Sequence, residues 1–376
     1  MIGLKFVKIF LVILFVSTSL MADDLEKAKA IYDKALSEVD KKNYDEAINL
    51  FDKALKISPD NLSLLYEKGF AYYLKRDFKT AIVIFKDLLI KNIQEPNCYI
   101  LLGNSLDYED HLDSARIVYN LGISKFPSNG ALYYQLGNSY VGRGPMADAS
   151  AQWELGVQND PGYPNNYFQL AKYYSKIADK LWSVIYGELF LNISDNAERS
   201  KEMSNLLYNT YKEALFYKKD TTVSVKFTNI NIVYNKDSVK RDLPFAVNYQ
   251  NTMVTAFEES KISDIDQYSI ESLTEIRKEF IDTWFLNKLD KKFTNILFDK
   301  HKKMIEDSVF LAYNYWLFRE ANPDEFKKWI SKKENIIAFK KFNNWFVDNP
   351  ENMSMGHFFT RFMYDYMINN LEFKNK

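Results

Sequence analysis

Residues 130–161 read GALYYQLGNSYVGRGPMADASAQWELGVQNDP, and their spacing decides the fold. Leu136 and Gly137 lie in an apolar helical stretch, and Gly142-Arg143-Gly144-Pro145 supplies a turn. Ala149 and Trp153, four residues apart, then share one face of a second helix that Pro161 closes. A step of 34 residues in either direction meets the same text. Ala47, Ala81, Ala115 and Ala149 form one track, and Phe51, Phe85, Tyr119 and Trp153 a second that is always aromatic. Gly69, Gly103, Gly137 and then Ala171 form a third that is always small. Leu65, Tyr99, Tyr133 and Tyr167, with Tyr72, Leu106, Tyr140 and Tyr174, repeat the step twice more, and Pro59, Pro127 and Pro161 close units. A period of this size marks stacked helical hairpins. Small residues sit where two helices approach closely, and rings fill the space between hairpins.

The pattern resembles the tetratricopeptide repeat family, whose units carry a large residue, Leu-Gly, Tyr, Ala, an aromatic, Ala and Pro at these spacings. Leu102-Gly103, Leu136-Gly137, Asn43-Tyr44-Asp45-Glu46-Ala47 and Ala54 carry the resemblance, which covers residues 28–176. The first unit departs with Ala35 for Gly and Glu38 for Tyr, as suits an end cap with one face in water. The second has Ile93 for its closing Pro and Leu88 for a small residue, and the fifth has Ser183 on the Ala track and Gly187 where an aromatic is due. Helical spacing continues through Trp182–Leu191 and Ser200–Tyr217 as two longer closing helices.

The resemblance implies a concave groove, lined by the first helix of each unit, that takes an extended peptide or a partner helix. Its places fall on Tyr66, Phe70 and Tyr73, on Ile100, Asn104 and Asp107, on Tyr134 and Asn138, and on Phe168 and Lys172. Asn104 and Asn138 repeat in Leu-Gly-Asn-Ser contexts, so they read either as an amide ladder for peptide backbone or as the family's usual residue. The family's carboxylate clamp needs Lys or Arg where Tyr66, Ile100, Tyr134 and Phe168 stand, which argues against it. An apolar, aromatic groove fits a hydrophobic peptide, a partner helix, or the chain's own C-terminal domain.

The first 22 residues, MIGLKFVKIFLVILFVSTSLMA, have the layout of a signal peptide. Lys5 and Lys8 precede an apolar run at Ile9–Val16, and small residues precede Asp23-Asp24. Cleavage after Ala22 or after Ser19 fits, and periplasmic or extracellular export follows. No later stretch approaches a membrane span. Abundant Lys, Asn, Ile, Phe and Tyr points to an AT-rich bacterial genome. In all, 49 Lys and Arg against 50 Asp and Glu give −1, so no bulk charge draws the chain to nucleic acid. One Cys and three His leave few routes to a metal centre.

From Thr221 the character changes. Val223, Val225 and Phe227 alternate with polar residues and predict a strand pair turning near Asn229, with Phe245–Tyr249 as a third strand. Helices are expected from Ser269, over 293–320 and over 323–348, the last opening at Asn322-Pro323-Asp324. Trp284, Trp316, Trp329 and Trp345 read as core.

The expected fold is mainly α: a signal peptide over 1–22, an α-α superhelix of about five repeats and closing helices over 25–217, and a mostly helical C-terminal domain with a small β-sheet over 218–376. Nucleophile elbow, Walker loop, HExxH helix and dinucleotide fingerprint are absent, so no catalytic residue, cofactor or metal is expected. Cys98 reads as packing, and His111, His301 and His357 as structural. The leading expectation is a non-enzymatic protein- or peptide-binding scaffold in the cell envelope. The alternatives are a hydrolase or ligand site within 218–376, with the repeats for docking, and self-association through aromatic surfaces.

Overall fold

The computed structural model describes residues 24–217, 223–229, 243–260, 262, 269–350 and 360–361. The expected signal segment, the return strand after Asn229 and His357 lie outside the described residues. The chain divides into two compact units, Met1–Pro127 and Ser128–Lys376.

In the first unit the hairpins are α1 (24–40) with α2 (Tyr44–Ile57), α3 (Leu62–Leu74) with α4 (Phe78–Ile90), and α5 (Pro96–Tyr108) with α6 (Leu112–Lys125). Lys42, Arg76 and Asp110, again 34 apart, hold the turns inside the hairpins at positive φ of 64°, 68° and 61°. The residue after each returns its N–H to the preceding helix: Asn43 to Glu38, Asp77 to Tyr72 and His111 to Leu106, at 2.8–3.0 Å. These 6→1 bonds satisfy carbonyls that a helix end leaves open. Asn61 and Asp77 cap α3 and α4 with their side chains. The aromatic track is fully buried at Phe51, Phe85 and Tyr119, and the Ala track at Ala47, Ala81 and Ala115.

The second unit begins with the hairpins α7 (Gly130–Asn138) with α8 (Met146–Asn159) and α9 (Pro164–Lys176) with α10 (Lys180–Ile193). Gly142, at φ 71°, turns the first of them, as the sequence predicts. Then come α11 (Ala197–Ala214), α12 (Phe245–Glu259), α13 (Ile270–Leu286), a 3-10 turn at Leu289–Lys291, α14 (Ile296–Glu306), α15 (Phe310–Phe318), α16 (Pro323–Ile330) and α17 (Lys333–Asp348). Every residue of α10 from Leu181 to Leu191 is buried. One hydrophobic core runs from Ala149 to Trp345 without a break at residue 217. Trp284, Trp329 and Trp345 are buried in it and Trp316 packs against it.

Three local expectations are corrected. The strand at Val223–Val225 (β2) exists, and among the described residues its antiparallel partner is Leu215–Tyr217 (β1), with Leu215 opposite Val225. The closing helix α11 therefore stops at Ala214, where Leu-Phe-Tyr, with two strand-forming aromatics, follows. Phe245–Tyr249 is not a strand but the opening of α12. Phe245, Tyr249, Met253, Ala256 and Phe257 are buried at helical spacing, and Pro244 stands at the N-cap. Five residues are too short a window to separate the two periods. The single helices expected over 293–320 and 323–348 are each two. Ser308, at φ 56°, breaks the first, and Ser331 and Lys332 end α16 and open α17 in the second. The predicted start at Asn322-Pro323 holds, with Asn322 Oδ1 accepting from the Glu325 N–H.

Candidate functional site: repeat faces and a buried charge cluster

In the first unit α3 lies against α5, which brings together six of the expected groove residues. Tyr66, Phe70, Tyr73, Asn104 and Asp107 are half-buried, while Ile100 is buried. Phe70 stacks on Tyr73 with ring centroids 6.4 Å apart, and Tyr73 meets Phe78 and Tyr108. Tyr108 is not among the groove residues expected from sequence; its ring lies 4.4 Å from Phe78 yet stays 60% exposed. Asn104 Oδ1 accepts from the Tyr119 hydroxyl at 2.6 Å, and its amide nitrogen approaches the Tyr73 hydroxyl at 3.5 Å. The amide is thus aimed by two rings. One amide hydrogen and one lone pair stay available to a ligand.

In the second unit α7 lies against α9. Tyr134 packs edge-on against Tyr163 at 6.0 Å, and Asn138 Oδ1 accepts from the Gln169 amide at 3.3 Å. Asn104 and Asn138 both tie to a side chain 31 residues away, so each spans two neighbouring first helices. Phe168 is buried between Lys172, 5.0 Å above its ring, and Arg199 of α11 at 5.1 Å. Lys172 also pairs with Glu202 at 2.7 Å. At this repeat, α11 supplies the covering layer.

A second constellation is buried deeper in the same unit. Glu188 of α10 is 2% exposed and takes hydrogen bonds from Arg277 of α13, from His301 of α14 at 2.8 Å and from the Tyr313 hydroxyl of α15 at 2.7 Å. Arg277 also donates to Asn314 and sits among the rings of Tyr211, Phe310, Tyr313 and Phe318 at 5.5–6.0 Å. Burial pushes the Glu188 carboxyl up, but the Arg277 charge and the His301 and Tyr313 contacts outweigh it and hold the carboxyl below its ordinary range. Burial, with the neighbouring Arg277 and Lys300 charges, lowers the His301 imidazole against the pull of Glu188. A neutral ring that close to a carboxylate carries its proton on Nε2. The cavity beside this cluster measures about 20 Å³, enough for one water but not for a substrate. Glu154 of α8, fully buried, accepts from the Tyr174 and Tyr186 hydroxyls at 2.8 and 2.6 Å. Among the described residues no group of His, Cys, Asp and Glu could hold a metal ion. Burial raises the Cys98 thiol to about 12, which suits packing. His111 stands exposed at the N-cap of α6.

Residues 35–75 match the TPR repeat family model. The chain carries tetratricopeptide repeats. No curated protein matches the sequence. Among solved structures, MamA residues 41-end from Desulfovibrio magneticus RS-1 are 17% identical, cover 45% of this chain and 98% of their own, and give a TM-score of 0.38. TTC0263, a thermophilic TPR protein from Thermus thermophilus, is 17% identical over 48% of this chain and 99% of its own, with a TM-score of 0.40. YrrB, described as a TPR protein with an unusual peptide-binding site, is 17% identical over 48% and 94%, with a TM-score of 0.35.

The tetratricopeptide period also locates the buried acids. Glu154 and Glu188 are 34 apart, each directly after an aromatic-track position, Trp153 and Gly187. That spacing, and an acid inside the apolar run WSVIYGELFL, is the signal the sequence carries. The cluster also makes stability depend on pH. His301 is depressed from its ordinary 6.5 and Glu188 from 4.5, so the unfolded chain takes up protons first as pH falls. The cluster's contribution is full above about pH 6.5 and declines below it, first through His301 and then, below about 4.5, through Glu188. Thermal melts of the second unit should therefore fall in midpoint from pH 7 to pH 5, and His301→Gln should flatten that fall. An unchanged slope in the variant would remove His301 from this role.

Proposed function

We propose that the chain is a non-enzymatic scaffold, exported to the cell envelope, that binds a protein or peptide segment on the first-helix faces of its repeats. The observation that carries this reading is the α3–α5 face. There Phe70, Tyr73 and Asn104 are half-buried, held in place by Phe78 and Tyr119, and still accessible. Pre-positioned rings and an amide lower the ordering cost of capturing an extended peptide. Tyr134 and Asn138 offer the same chemistry on the second unit. Phe168 contributes packing and its two cations rather than open surface. Among the described residues no helix is long and apolar enough to cross a membrane.

A photocrosslinking residue at Asn104 tests the groove. Crosslinked partners should be competed by excess free partner and should drop at least about ten-fold in Tyr73→Ala/Asn104→Ala, as for paired hot spots. Partner capture that ignores these changes would place binding elsewhere. Export is tested separately by sequencing the N-terminus of the mature protein, expected at Asp23. An intact Met1 on the cell-associated protein would rule out cleavage.

A further inference from the structure

Residues 327–341 read KKWISKKENIIAFKK. Six lysines, Lys327, Lys328, Lys332, Lys333, Lys340 and Lys341, face a single acid, Glu334, within a chain whose net charge is only −1. All six are exposed. The helices that carry them bury the opposite side. Phe342 and Trp345 of α17 are 1% and 9% exposed, and Trp329 of α16 stacks on Tyr315 at 4.2 Å. A surface helix held this way ordinarily turns polar residues to water. Here the outward side of α17 carries Ile336, Ile337 and Val347 at 41%, 61% and 78% exposure, interleaved with Lys333 and Lys340. Branched aliphatics among lysines on one outward face match a helix lying in a lipid interface. The apolar tips enter the acyl boundary while the lysine stems snorkel to phosphates.

Other anionic partners fit less well. Single-stranded nucleic acid is held by stacking on exposed rings, whereas the rings of α16 and α17 at Phe326, Trp329 and Phe339 pack on one another. Protein interfaces favour arginine and deplete lysine at their centres. The local counter-charges are few. Lys327 lies 3.9 Å from Asp324, and the Lys341 ammonium donates to the Asp307 carbonyl at 2.5 Å.

We propose that the outward face of α16 and α17 docks on an anionic lipid membrane. The proposal stands independently of the repeat faces. It is tested by co-sedimentation of the full protein with phosphatidylcholine vesicles, pure or containing about a third phosphatidylglycerol. Binding is expected to the anionic vesicles only and to weaken as salt rises. Exchanging four lysines, K327Q/K328Q/K332Q/K333Q, should weaken it roughly 600-fold, since each lysine near an anionic surface contributes about a factor of five. The pair I336S/I337S should weaken it about ten-fold without altering charge. Both variants change exposed side chains, so circular dichroism and melting midpoint should match the parent. Equal binding to pure phosphatidylcholine, wild-type binding by either variant, or retention on single-stranded RNA without vesicle binding would each overturn the proposal.

Discussion

Arg277→Met is expected to destabilise the second unit by about 3–5 kcal/mol, because it leaves Glu188 buried without its counter-charge. The carboxylate is 2% exposed, and after the change only neutral donors, Tyr313 and His301, remain beside it. In a unit of this size the loss corresponds to a fall of roughly 6–20 °C in melting midpoint. Glu188→Gln strands Arg277 among four rings in the same way. The double variant Glu188→Gln/Arg277→Met removes both charges and should be more stable than either single variant, which requires a coupling larger than about 3 kcal/mol. All six tryptophans lie at or beyond Trp153, so indole fluorescence during urea unfolding follows the second unit alone. A single variant within about 1 kcal/mol of the parent would mean that the pair contributes no more than an exposed one.

The reach of the sequence follows from how far apart interacting residues lie. The hairpins are legible because each packs the same residue types at a fixed interval, and Ala47, Phe51 and Gly69 repeat wherever the packing does. Asn104 and Asn138 are legible as residue types, but their engagement with Tyr73 and Gln169 depends on the packing of neighbouring first helices. The Glu188 cluster is a different case. Its partners stand 89, 113 and 125 residues away, on helices outside the repeats, and no periodicity links them. Around Phe245 and Leu215 the failure is local: short apolar runs satisfy both a strand and a helix until burial chooses. His301, read from its sequence as a structural residue, is buried against Glu188 and Arg277, which its own sequence context does not point to.

Gly103→Ala and Gly137→Ala should each destabilise by about 1–3 kcal/mol, although alanine is the better helix former by about 1 kcal/mol. A Cβ at Gly137 would stand 2.3 Å from Trp153 Nε1 and 2.6 Å from Cδ1. The indole cannot retreat, being 1% exposed with its N–H directed at the Tyr134 carbonyl. At Gly103 the Cβ would meet Tyr119 Cε1 at 2.3 Å, and that ring is pinned through its hydroxyl to Asn104. Gly69 is the control. Its nearest obstacle is the Ile84 Cγ2 methyl at 2.9 Å, the Phe85 ring lies at 3.2 Å, and Gly69→Ala should be near neutral. The fifth repeat shows why the order is expected. There the small station holds Ala171 and the aromatic station holds Gly187, so the native chain trades a ring for a methyl. The space at Gly187 is closed by α11 instead, where a Cβ would meet Leu207 at 2.7 Å and Met203 Sδ at 2.8 Å. Gly187→Ala should thus cost less than Gly137→Ala, since a methionine tip yields more readily than an indole. Urea unfolding followed by far-ultraviolet circular dichroism measures all four. Equal stabilities for Gly69→Ala, Gly103→Ala and Gly137→Ala would show that ring contact does not set the small-residue track.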